Sequence, residues 1–146
     1  MSAWAATSFE NEAAHDWFYA VEEAVDPGAT IASALDRALA EADYLDLELA
    51  CEAIAAAELS ASCAGLVPEH LPDDVRRWAQ THPHRPHDSE VDQAVEAVER
   101  VRGESALRDF WMQAGREPES AWLLELDGLV TRLRAAGAGS PPTLSP

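Results

Sequence analysis

One stretch constrains this chain more than any other: LDLELACEAIAAAELSASCA, residues 45–64. It contains neither Gly nor Pro and is rich in Ala and Leu, the residues that cost least to place in a helix. The spacing predicts a helix from about Leu45 to Ala64, closed by Gly65. Apolar side chains cover most of its circumference, and a helix apolar nearly all round belongs at the centre of a fold. The rest of the chain must therefore supply elements to surround it. With 146 residues, 47% of them hydrophobic, it is large enough to do so as one ordinary domain without disulfide or metal staples.

The flanking sequence reads as further helices. Asn11 is a fitting N-cap for a first helix over about Glu12–Val25, with Ala14, Trp17, Val21 and Ala24 on one stripe. Pro27-Gly28 is expected to end it. Thr30 is the expected cap of a second helix, Ile31–Ala42. Asp73 and Asp74 open a short helix through Trp78 to Thr81, where acidic residues complement the helix dipole. HPHRPHDS then reads as a loop. Ser89 is expected to cap a fifth helix through Arg102, with Asp92 completing a weak capping box and Val91, Val95 and Val98 inward. Ser105 begins a sixth helix with Leu107, Phe110 and Trp111. Gly115 and Pro118 mark a turn, and a seventh helix is expected from Ser120 to about Ala136. No period-2 strand pattern and no internal repeat is present. The expectation is an all-α, compact single-domain bundle of about six to seven helices with short connections over residues 1–136, followed by a flexible Pro/Gly/Ser tail, 137–146.

Charge narrows the function classes. The formal net charge is −17, and every basic residue is Arg. Residues 1–75 hold 16 acidic residues and one Arg, a net of −15, whereas residues 76–146 are nearly balanced at −2. Such a chain repels phosphate, which argues against nucleic acid and anionic membrane surfaces and suits a basic protein partner. Solubility alone is a competing explanation of the acidity. No apolar run reaches spanning length, and the N-terminus lacks the basic and apolar regions of a secretory signal. Cys51 and Cys63 would lie about 18 Å apart on one helix, too far to bridge each other. A reducing, cytoplasmic setting follows as the expectation.

Several constellations could carry chemistry. Glu10, Asn11 and Asp16, framed by Trp4, Phe9 and Trp17, could form a recognition patch; helix capping and aromatic stapling explain the same residues. Glu58 falls on the side of the central helix that carries Leu47, Cys51, Ile54 and Ala61. A carboxylate facing a core must be paired, hydrogen-bonded or neutral, so a C-terminal Arg or a Trp indole N–H is its expected partner. Glu48 and Glu52, one turn apart and joined by Asp43, could hold a divalent metal in a small helical hydrolase, but a solvated face explains them more simply. His82, His84 and His87 offer three imidazoles, yet the intervening prolines favour an exposed His-rich loop over a metal site. Glu12 and His15 form a lone E-x-x-H with no second copy, and His15 points away from the apolar stripe. No P-loop, dinucleotide fingerprint, nucleophile elbow or EF-hand loop occurs, so no catalytic residue and no cofactor is assigned.

The residues Trp4, Phe9, Glu10, Asn11, Ala14, Asp16 and Trp17 resemble the opening of a family of small acidic bacterial proteins of unknown function. Members begin with Trp-Gly, then Phe-Glu/Asp-Asn-Asp, then Ala-x-Asp-Trp. Tyr44-Leu45, the run ending Ala57-Glu58, Leu71-Pro72 and Trp78 extend the likeness over most of residues 3–135. Ala5 replaces the usual Gly and Glu12 the usual Asp. The resemblance implies no activity. The reading that follows is an acidic protein-interaction module, regulatory, antitoxin-like or immunity-like, with the metal-dependent hydrolase as the alternative.

Overall fold

A computed structural model describes residues 11–138. Seven helices follow in chain order: α1 (Glu12–Glu23), α2 (Pro27–Ala40), α3 (Leu47–Cys63), α4 (Asp73–Thr81), α5 (Asp88–Gly103), α6 (Ala106–Ala114) and α7 (Arg116–Ala138). No strand occurs among the described residues, and the protein is all-α.

The alanine-rich stretch is α3, and it touches all six other helices. Ala50, Ala53, Ala55, Ala56, Ala57 and Ala61 are completely buried. Their methyl groups leave room that larger side chains from the neighbours occupy. Trp17, Phe18 and Val21 come from α1, Leu35 from α2, Val91, Val95, Val98 and Val101 from α5, and Leu126, Leu129 and Leu133 from α7. Each large side chain removed from water contributes about 1.5–3 kcal/mol before chain entropy is set against it.

Local chemistry sets the ends of the helices. The Asn11 carboxamide accepts the Ala14 N–H at 2.8 Å and caps α1. Asp46 does the same for α3 and Ser105 for α6. At the C-terminus of α3, Gly65 adopts φ 95°. Its N–H reaches the Ser62 carbonyl at 2.9 Å and the Leu66 N–H reaches that of Ala61 at 3.1 Å, a Schellman closure for which a glycine is best suited. The Leu45 carbonyl accepts the Ala106 N–H at 2.9 Å, which pins the approach to α3 against the α5–α6 junction.

Several expected boundaries change; α2 ends at Ala40 rather than Ala42, and α3 begins at Leu47 rather than Leu45 because Asp46 is its cap. Helix α1 stops at Glu23, leaving Val25 fully exposed. Pro27-Gly28 does not separate α1 from a helix capped by Thr30. Asp26 is the cap, accepting the Ala29 N–H, and Pro27 is the first residue of α2, where its missing N–H costs nothing. Helix α5 begins at Asp88, not after Ser89; the N-cap position belongs to His87, and Glu90 reaches back to its N–H, replacing the expected Asp92 box. Helix α7 begins at Arg116, because Pro118 falls in a first turn whose N–H groups lack intrahelical partners anyway.

Candidate functional site

Glu58 projects from α3 into the interior and is 2% exposed. The Arg132 guanidinium, from α7, donates to both carboxylate oxygens: Nη1 to Oε2, and Nη2 to Oε1 at 3.1 Å. Arg132 Nη1 also donates to the Leu66 carbonyl at 3.3 Å, and the Ser62 hydroxyl donates to Glu58 at 3.5 Å. The forked geometry satisfies a buried carboxylate with a planar cation held by a second acceptor. It ties the central helix to the last one.

The other sequence-predicted residues do not converge. Glu52 pairs with Arg37 at 3.1 Å. Burial raises its carboxyl above the usual carboxylate range, with Arg37 pulling the other way. Glu48 and Asp43 are exposed, and the carbonyl of Asp43, rather than its carboxylate, takes the Arg100 guanidinium. Among the described residues no three His, Cys, Asp or Glu side chains meet in a geometry that could hold a metal. Of the N-terminal motif, Trp4, Phe9 and Glu10 lie outside the described residues. Asn11 is 8% exposed and engaged as a cap, Asp16 is exposed, and Trp17 is 5% exposed with no partner for its indole N–H among the described residues.

A pocket of about 280 Å³ opens elsewhere, between α2, the end of α3, α4 and the start of α5. Ile31, Ala32 and Leu35 line it from α2, Ser60 and Cys63 from α3, and Trp78 from α4. The His-rich loop forms another wall. His82 stacks on Trp78 with ring centroids 4.1 Å apart and planes 14° from parallel. Its Nδ1 sits 2.8 Å from the Trp78 carbonyl oxygen, which can only accept, so Nδ1 carries the proton. The His84 N–H donates to the Cys63 carbonyl at 2.9 Å, fastening the loop across the end of α3, and Pro86 is buried beneath it.

At the rim, Glu90 Oε1 accepts the His87 N–H at 2.7 Å and faces His84 Nε2 at 3.2 Å. Burial alone would raise the Glu90 carboxyl; the His87 N–H and the His84 imidazole outweigh it, so the group lies below the usual range. The Gln93 amide donates to Asp36. Burial pushes the Cys63 thiol up to about 11, which makes it an inert wall rather than a nucleophile at neutral pH. His82, His84 and His87 thus serve three separate tasks: a ring stack, a brace for Glu90 and a helix start.

The model of the family described as a domain of unknown function, DUF4259, matches residues 2–123. The chain belongs to the DUF4259 family. No curated protein and no solved structure matches it. The residues matched to DUF4259 include every residue lining the pocket and also Glu58, but end before Arg132. No helix among the described residues is long and apolar enough to cross a membrane.

Sequence reasoning missed the pocket because its lining is drawn from separate segments between Pro27 and Gln93. One signal was available: Trp78 and His82 stand four residues apart, the spacing that brings two rings together on one helical face.

Proposed function

We propose that this DUF4259 protein is a binding module whose acidic N-terminal half docks a basic protein partner, in a regulatory, antitoxin-like or immunity-like role. One observation carries the reading. Asp16, Glu22 and Glu23 on α1, Asp36 on α2 and Glu48 on α3 are exposed, and those three helices pack against one another. Arg37, the single Arg of residues 1–75, is already paired with Glu52. The negative potential of this half is therefore left for solvent or a partner to balance. Exposed like charges on a packed scaffold steer an oppositely charged surface and fix its register, more than they add raw affinity.

The test is capture by the tagged full chain from a lysate of its source, washed at rising salt, beside a variant carrying Asp16→Asn, Glu22→Gln and Glu23→Gln. A stoichiometric basic protein is expected, bound at low salt, released at high salt and weakened by the variant. A partner indifferent to both salt and the substitutions would refute the reading.

A further inference from the structure

We propose that the α2–α5 pocket binds a compact organic cation: an amine or guanidinium carried on an apolar or aromatic body. The walls set the body. Ile31, Ala32, Leu35 and Trp78 offer aliphatic and indole surface in a cavity of about 280 Å³, near the lower end of the range for small-ligand sites.

The side-chain atoms left open on the lining residues set the charge. Both hydrogen bonds of Glu90 fall on Oε1, so Oε2 has none among the described residues. Gln93 uses its amide nitrogen on Asp36, which leaves its oxygen as an acceptor. His82 holds its proton on Nδ1 toward the Trp78 carbonyl, so Nε2 of the neutral ring presents a lone pair. Three acceptors, one of them anionic, call for a ligand rich in N–H donors.

An anion fits less well, even though the N-termini of α2 and α5 meet at this rim. Each already holds a carboxylate of its own: Asp26 on the Ala29 N–H and Glu90 on the His87 N–H. A further anion would meet those charges within a chain of net charge −17. The assignment does not depend on the acidic-face reading, because the pocket can fill with no protein bound.

The chemistry can reach the pocket as a free amine or as an arginine side chain of a peptide. Calorimetric titration of the full chain at neutral pH and low salt would use phenethylamine, N-acetyl-arginine amide and the charge-inverted 3-phenylpropionate. At least one cation is expected to bind one per chain, with 3-phenylpropionate weaker by about ten-fold or more. Preference for phenethylamine assigns a free amine; preference for the arginine amide assigns a partner's side chain. Glu90→Gln keeps an oxygen for the His87 N–H while removing the charge, and should weaken the cation by about ten-fold. Ala32→Trp should fill the cavity and abolish binding, with circular dichroism confirming that both variants stay helical. Shifts confined to the Ile31 and Leu35 methyl resonances would place the ligand. Equal binding of the cations and 3-phenylpropionate, binding that both variants retain, or no binding of either cation would overturn the proposal.

Discussion

Replacing Arg132 with Met is the most informative single perturbation. It removes the forked guanidinium from Glu58, whose side chain is 3% exposed and to which, among the described residues, the Ser62 hydroxyl also donates at 3.5 Å. Stranding one member of a buried pair costs about 3–5 kcal/mol. The converse change is milder. Glu58→Gln strands Arg132, but that side chain is 19% exposed and keeps the Leu66 carbonyl, so it can turn partly to water. A loss of about 1–3 kcal/mol is expected there, the scale of an unsatisfied polar group. For a chain of this size each kcal/mol moves Tm by about 2–4 °C, so Arg132→Met should lower it by about 6–20 °C. Urea titration of the full chain, with fluorescence and circular dichroism required to coincide, measures both. The double variant Glu58→Leu with Arg132→Met should recover much of the loss, because an apolar pair of similar volume no longer strands a charge. Glu58→Gln costing more than Arg132→Met, an unchanged Tm in either, or a double variant as poor as the sum of the singles would refute the reasoning.

Other predictions follow from single contacts. A Cβ on Gly137 would sit 2.7 Å from Val91 Cγ2, so Gly137→Ala should destabilise by about 1–3 kcal/mol despite its better helix propensity. Gly128→Ala, in open space on the same helix, should stabilise by about 0.5–1 kcal/mol; equal effects in thermal melts would contradict the packing. The Glu90 carboxyl lies below its ordinary range, so its contribution is present above the unfolded value, about 4.3, and is lost as pH falls through the folded value. Hydrogen exchange at the start of α5 should therefore quicken in acid, and Glu90→Gln should flatten that dependence. Burial, helped by Glu52, pushes the Cys51 thiol up to about 12, and burial pushes Cys63 to about 11. Iodoacetamide at neutral pH should leave both unmodified until the chain unfolds, and rapid labelling of the native protein would contradict this.

The fold was legible where periodicity is strong. The alanine-rich run identifies α3 and its central place because apolar side chains cover most of its circumference, and all seven helices appear in the expected order. The wheel that groups Glu58 with Leu47, Cys51, Ile54 and Ala61 corresponds to a buried side of α3, with Leu47 at its start only partly buried. What the wheel does not give is which Arg arrives, since Arg132 stands 74 residues away and nine Arg lie beyond residue 75. Boundaries slipped where one residue type has two meanings. Pro27 can stop one helix or start the next, and only the Asp26 side chain, turned onto the Ala29 N–H, decides between them. Pro118 is similarly harmless in a first turn and disruptive one turn later. Of the pocket only the Trp78–His82 spacing was legible, because no local pattern reports the meeting of distant segments.

The position of α3 has a consequence for how the molecule opens. A helix that touches every other one cannot be released by fraying a single neighbour. The core between α3 and its partners therefore forms or dissolves as one cooperative unit, and the slowest-exchanging amides of α3 should report global unfolding, while those at the ends of α1 and α7 exchange through local excursions. The smallest side chains in the protein, by admitting all of their neighbours at once, make its stability indivisible.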